Sequence, residues 1–258
     1  MHTILAFDIE TIPDIDSAKH YLELDALDDK SVAEIMFTRA RERSGSDFLA
    51  LHLHKIAAIS ITLKRGNQVT VWSLGDESSS EKEIVQRFFD GIEKYQPTLV
   101  SWNGSGFDLP VLHYRALLHG IQAPVYWEVG DNVREAKYNN YLGRFHWRHI
   151  DLMDVLAAYQ MRGRAPLDEI AVMLGFPGKL GMSGDKVWGA FLDGKLKEIR
   201  EYCETDTLNT YLVYCRFELM RGNLDMQGYE LECQRVRDFL QESGEPHFLE
   251  FLNAWTTR

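Results

Sequence analysis

The sequence predicts an α/β fold: a mixed sheet with helices on its faces. Three observations predict it. Apolar, β-rich runs come first, a helix-period pattern and a further short apolar run follow, and helix-period patterns fill most of the rest. The chain has 258 residues, 45% of them hydrophobic, enough for one sizeable globular domain with additions. No internal repeat, low-complexity tract or linker divides it, so residues 1–258 are expected to form a single domain.

In chain order, "TILAFDI" is expected to be a buried strand. Residues 15–50 are polar and helix-prone, and "DDKSVAEIMFTRARER" carries a capping signal, so this stretch is an expected helical insertion. "KIAAISITLKRG" and "QVTVWSL", separated by "RGN", predict a hairpin. A serine N-cap opens the helix in "SSSEKEIVQRFFDGIEKY", with Ile84, Phe88 and Ile92 on one face. "PTLVSW" is a short buried strand. "FDLPVLHYRALLHG" is a helix, with Pro110 in its first turn and Gly120 near its end. Residues 121–149, aromatic and basic in places, are expected to form a long connection or small hairpin. "IDLMDVLAAYQ" fits strand or helix, "APLDEIAVMLGF" a helix and "LKEIREYCETDTLNTYLVYCRFELMRG" a long helix, with a C-terminal helical extension over residues 225–258.

The chain carries 28 Lys and Arg against 39 Asp and Glu, a net charge of −11. That balance argues against broad, sequence-blind duplex binding, which depends on many basic side chains, but leaves nucleic acid open where bound cations reverse the local field. Cys203, Cys215 and Cys233 are odd in number and lack C-x-x-C spacing, so neither a disulfide framework nor a cysteine zinc site is expected. The start "MHTILAFDIE" lacks a secretory pattern and no run of ~18 apolar residues occurs, so a cytoplasmic protein without a membrane partner is expected.

Chemistry concentrates in three short stretches. Asp8 and Glu10 sit at i and i+2 at the end of an apolar strand, so both carboxylates project from one face. Charges this close share a metal ion, share a proton or lie at an exposed strand end. Asp108 follows a glycine-containing loop at a strand-to-helix junction, where capping is its ordinary role. Beside it, Asn103 offers an amide, Phe107 a stacking face, and Gly104 and Gly106 a backbone able to approach a ligand. Tyr202 and Asp206 stand four apart on one helix face, among apolar neighbours. A packing tyrosine and a solvated aspartate are the plain alternative. Together, four carboxylates from three separated elements meet the needs of a two-metal phosphoryl-transfer site, whose hard oxygen ligands suit Mg2+ or Mn2+.

With "FDIET", "NGSGFD" and "YCETD" in this order, the sequence resembles the DEDDy branch of the DnaQ-like 3′–5′ exonuclease superfamily. It is most similar to predicted exonucleases related to the proofreading domain of family B DNA polymerases. The resemblance covers roughly residues 1–220, and "HKIAAIS" resembles the family's second strand. Position 201 is Glu, where the histidine branch would carry His. The resemblance implies an RNase H-like fold with a five-stranded mixed sheet. It implies that Asp8, Glu10 and Asp206 hold one of two divalent cations, that Asp8 and, largely through water, Asp108 hold the other, and that Tyr202 orients the attacking water. It also implies nucleoside 5′-monophosphates as products, and because a site buried among carboxylates must thread a 3′ terminus past stacking aromatics, single-stranded or frayed ends, most simply of single-stranded DNA, are the expected partner. RNA as substrate, a catalytically silent nucleic-acid-binding module and a compact protein with solvated acidic caps are the alternatives. A length of 258 residues is expected to hold the exonuclease module without a polymerase.

Lesser candidates have plainer readings. Asp151 and Asp154 suit helix capping better than metal ligation. Lys179 and Lys186 belong to a glycine-rich loop that is more simply solvated than phosphate-binding. His52 and His54 have zinc-like spacing on a possible strand but no matching partners. Trp102 and Trp188 are expected to be core or cleft-lining residues. The insertion and the 121–149 stretch are expected near the substrate cleft.

Overall fold

The computed structural model describes residues 3–256; the outermost ends of the expected domain, 1–2 and 257–258, lie outside the described residues. Strands β1 (Ile4–Pro13), β2 (His54–Arg65), β3 (Gln68–Ser73), β4 (Thr98–Ser101) and β5 (His149–Asp151) form one sheet in the order β3-β2-β1-β4-β5. β1 is antiparallel to β2 and parallel to β4. β2–β3 is the expected hairpin, and β5 runs parallel to β4. This five-stranded mixed sheet flanked by helices is consistent with an RNase H-like exonuclease fold.

Strand alternation sorts β1 between two cores. Leu5, Phe7 and Ile9 pack with α3 (Glu81–Tyr95) and α4 (Asp108–His119), through Phe88, Phe89, Ile92 and Leu112. Ile4 and Ala6 face the opposite layer, where Leu208, Tyr211 and Leu212 of the long helix α9 (Leu196–Met220) cover them. Asp8 and Glu10 continue the α9 side. Ser80 caps α3 by accepting the Glu83 N–H, and Gly120 closes α4 at a left-handed φ of +66°, as both sequence signals predict.

The helical insertion consists of α1 (Ile15–Leu22) and α2 (Asp29–Ser44), capped by Asp14 and Asp28. Its apolar faces meet each other through Ile15, Ala18, Val32 and Met36, with Trp188 packed alongside. The possible strand at His52 is a 3-10 turn over Leu51–Leu53, and β2 begins at His54.

Residues 121–149 form no hairpin. A short helix, α5 (Pro124–Trp127), is followed by a 3-10 turn at Arg134–Lys137. Side chains satisfy the backbone here in place of a strand partner: Glu128 accepts the N–H groups of Gly130, Asp131 and Asn132, and Asn140 accepts those of Leu142 and Gly143. "IDLMDVLAAYQ" resolves into both alternatives, β5 and then α6 (Leu152–Leu156), with α7 (Leu167–Met173) next. The sequence reading did not separate α8 (Val187–Leu192) from its glycine-rich surroundings. α10 (Met226–Ser243) and α11 (Pro246–Ala254) pack into the α9-side core, where Val236, Leu240, Phe248 and Phe251 are buried.

Candidate active site

β1 outruns its parallel neighbour. Pairing with β4 ends at Ala6–Val100, leaving the following residues open on that side, while β2 continues opposite them. The Ile9 N–H, which would otherwise lack a partner, donates to Asp108 Oδ1 at 3.2 Å. Asp108 is therefore not the N-cap of α4; Phe107 holds that position and Asp108 opens the helix, reaching across to β1. A bulge between Glu10 and Thr11 then ends the strict alternation.

The loop that delivers Asp108 is held from below by Asp151, whose carboxylate accepts the N–H groups of Asn103 and Ser105, each at 2.9 Å, and of Asp154 at 3.3 Å. Asp151 is thus a cap and loop anchor, as its plainer reading has it. Asn103 adopts a left-handed φ of +65°. The two glycines serve the chain's own packing. A Cβ on Gly104 would lie 2.2 Å from Ser101 Oγ, and one on Gly106 would lie 2.5 Å from Asn103 Oδ1. They let the loop close on itself; the sequence reading assigned them to ligand approach.

From the other side, α9 presents Tyr202, Cys203 and Asp206 to β1. The Cys203 thiol donates to Asp8, 3.4 Å from its carbonyl oxygen and 3.6 Å from Oδ2. Ligand atoms of Asp8, Glu10 and Cys203 lie within 4.8 Å of one another. Cys203 was missed as a neighbour of the site, although it adjoins Tyr202 in the sequence.

Four carboxylates meet here with little solvent to share. Glu10, Asp108 and Asp206 are buried, and Asp206 Oδ1 has no hydrogen-bond partner. Burial first, and then the charges of Asp108, Glu10 and Asp206, raises the Asp8 pKa well above the carboxylate range. Burial, with Asp206 and Asp108 beside it, does the same to Glu10. Asp108 is pushed to about 7 and Asp206 to about 6, chiefly by burial; the Tyr202 hydroxyl and Lys179 pull Asp206 back down. Burial and the surrounding carboxylates raise Tyr202, so its hydroxyl stays protonated and available as a donor. Lys179, exposed at the rim, also draws Glu10 down and sits 5.9 Å from the Tyr202 ring centroid.

A cavity of about 600 Å³ opens beside Glu10. Phe107 and Trp188 line it with His54, and the insertion contributes Phe37 and Phe48; Asn103 does not line it. The insertion therefore borders the site, as expected. The Phe107 ring meets His54 edge-on at 5.2 Å and Phe48 at 5.6 Å. His54 is no zinc ligand: Nδ1 pairs with Thr11 Oγ1 at 2.8 Å and Nε2 with the Leu49 carbonyl at 3.2 Å, an arrangement that fits the neutral ring. His52 packs against Tyr114 instead.

A parallel and antiparallel five-stranded sheet with buried carboxylates gathered beyond its central strand defines the class: an RNase H-like exonuclease domain. The chain belongs to the family described as "predicted 3′-5′ exonuclease related to the exonuclease domain of PolB", whose model matches residues 46–255. That span includes Asp108, Tyr202 and Asp206, and α10 and α11, so it extends beyond the expected limit near residue 220. β1, with Asp8 and Glu10, lies outside it. The catalytic polypeptide of DNA polymerase epsilon from Saccharomyces cerevisiae is 25% identical over 149 residues, 54% of this chain and 6% of the relative. Its counterpart from Kluyveromyces lactis is 27% identical over 147 residues, 53% of this chain and 6% of the relative. DNA polymerase 1 of Sulfurisphaera ohwakuensis is 50% identical over 38 residues, 15% of this chain and 4% of the relative. Membership implies a nucleic-acid substrate and the use of divalent cations, and a buried acidic cluster is present. Among the described residues no helix is long and apolar enough to cross a membrane.

Proposed function

We propose that this chain is a metal-dependent 3′–5′ exonuclease of the DEDDy type that shortens single-stranded DNA from its 3′ end to nucleoside 5′-monophosphates. One observation carries the reading: four carboxylates from three elements are gathered together, with Asp206 Oδ1 lacking any donor. Without cations the cluster repels itself, and its donors are hard oxygens that fit Mg2+ or Mn2+. The Cys203 thiol, held protonated by burial and donating to Asp8, adds no soft ligand.

Asp8, Glu10 and Asp206 would hold one cation, and Asp8 with Asp108 the other. Cations bound there supply a lowered water pKa and neutralise charge developing on the phosphate and leaving oxygen. The protonated Tyr202 hydroxyl holds the attacking water, and the Phe107 face stacks the terminal base. Water attacks phosphorus and the bond to the upstream 3′ oxygen breaks. The strand keeps a 3′ hydroxyl and the terminal nucleotide leaves with its 5′ phosphate.

The test is digestion of matched 5′-labelled single-stranded DNA and RNA with Mn2+, Mg2+ or EDTA. A DNA ladder shortening from the 3′ end, abolished by EDTA and slowed at least about a thousandfold by Asp206→Ala, is expected. Faster shortening of RNA would reassign the substrate. A folded protein that binds Mn2+ and shortens neither strand would overturn catalysis.

A further inference from the structure

A second cavity, of about 410 Å³, borders the loop that carries Asp108. Ser105 and Gly106 line it together with Arg144, Tyr159 and Arg164. Its size is that of ordinary ligand pockets, about 300–1,000 Å³. The two arginines converge on the buried Asp154: Arg164 Nη2 donates to Oδ1 at 2.7 Å, and Arg144 donates to Oδ2 through Nε at 3.1 Å and Nη2 at 3.0 Å. One carboxylate cannot saturate two guanidinium groups, and Arg164 Nε is buried without an acceptor. The Arg144 guanidinium lies 5.3 Å from the Tyr159 ring centroid, and Phe145 meets that ring edge-on at 4.8 Å. Phe145 is 69% exposed. Ala158 and Tyr159 both hold left-handed φ angles, +49° and +60°, a strained turn that fixes the tyrosine in place.

The surroundings indicate the ligand. In a chain where acidic residues outnumber basic ones 39 to 28, residues 134–164 reverse the balance, with six Lys and Arg against three Asp and Glu. Of the 21 large hydrophobic side chains exposed among the described residues, nine fall within residues 127–161. Basic groups interleaved with exposed aromatic rings suit a flexible polyanion with flat apolar bases, which is single-stranded nucleic acid. An acidic or purely apolar partner surface would use only half of these features.

We infer that Arg144, Phe145, Tyr159 and Arg164 form a subsite for nucleotides upstream of the scissile bond, binding their phosphates and stacking a base. The inference rests on the exonuclease reading, because it is that reading which puts the terminal nucleotide on the carboxylate side of the shared loop. The strand then crosses residues 103–107, and Asp151, anchoring that loop from β5, couples the two cavities.

The experiment uses 5′-fluorescein oligo(dT) of 2, 4, 6 and 10 nucleotides, with affinity read by anisotropy on the full chain in the Asp206→Asn background to prevent digestion. Affinity is expected to rise with length to about six nucleotides. Phe145→Ala should weaken 6-mer binding at least about fivefold, near the lower end for losing one stacked base, and flatten the length dependence. Arg144→Gln leaves Arg164 to compensate Asp154 and should reduce the slope of log affinity against log salt by about 0.7. Leu231→Ala on α10, exposed and remote in sequence, serves as the control and should change nothing. Equal effects on the 2-mer and 6-mer, or none on either, would overturn the subsite. So would intact DNA binding by Phe145→Ala accompanied by loss of self-association in sedimentation, which would make the patch a protein interface. Hydrolysis of the p-nitrophenyl ester of thymidine 5′-monophosphate by the unmodified chain separates the two readings. Turnover of that ester without length-dependent binding defeats the subsite alone; length-dependent binding through Phe145 with no turnover of any substrate defeats the exonuclease and retains the binding surface.

Discussion

Asp206 and Asp108 are carboxyls held near 6 and 7 by burial, against an ordinary value close to 4. These two groups therefore bind more protons in the folded, metal-free chain than in the unfolded chain between roughly pH 4 and 7. Their contribution to the unfolding free energy falls as pH rises through that window, by on the order of a few kcal/mol. Asp14 and Glu204, whose pKa values are lowered, act in the opposite sense at the acid end, and His54, His113 and His149, lowered by burial, do so up to about pH 6.5. In EDTA, the Tm of the unmodified chain is thus expected to fall relative to that of Asp206→Asn from about pH 5 to 7.5. Saturating Mn2+ should restore the loss, with about 2.7 kcal/mol gained at a hundredfold excess over Kd. A Tm that changes with pH equally in both proteins would contradict the mutual repulsion. Tyr202→Phe keeps the packed ring and removes only the hydroxyl. It should lower kcat about a hundredfold with little change in KM, the signature of a misplaced nucleophile as opposed to weaker binding.

β1 was legible because strand alternation is local: one pattern places Ile4 and Ala6 under α9 and Asp8 and Glu10 beside Asp206. The helix over Tyr202 and Asp206 was legible for the same reason. Asp108 was legible as a member of the carboxylate set but its contact was not, because sequence offers its carboxylate a cap on its own helix, while the structure gives it the Ile9 N–H left open where β4 stops. Phe48 and Arg144 were equally hidden, since each reaches its place through irregular backbone fixed by tertiary contacts. Arg115 is the clearest such case. Buried in α4, it donates to Asp14 at the end of β1 and, at 2.6 and 2.7 Å, to Glu81 at the start of α3; Glu81 also meets His119 at 2.8 Å. Because Asp14 caps α1, this network ties the insertion to the helix that opens with Asp108. Arg115→Met leaves the buried Asp14 carboxylate without its cation and Glu81 with His119 alone, and should cost about 3–5 kcal/mol. Calorimetry should show this as a fall in Tm of about 10 °C.

The C-terminal helices test how far one folding unit extends. Sequence composition marks residues 225–258 as an extension, yet Phe248 and Phe251 occupy the same core as Ile4 and Val100 of the central strands. Polar contacts reinforce the junction: Glu204 accepts from His247 of α11 and from both the N–H and hydroxyl of Ser73 at the end of β3. Glu204 lies two residues before Asp206, so this clamp acts on the turn of α9 that carries the site. Losing α11 would remove two buried phenylalanines, each worth about 3–5 kcal/mol as a truncation to alanine. That sum rivals the whole stability of an ordinary domain, about 5–15 kcal/mol. Residues 1–258 are therefore expected to unfold in one transition, with far-ultraviolet circular dichroism and tryptophan fluorescence giving coincident curves. A chain ending at residue 244 is expected to show no cooperative transition and to lose Mn2+-induced stabilisation. If that shortened chain melts cooperatively within a few degrees of the full one, α11 is an appendage and the sheet with α9 is the complete unit.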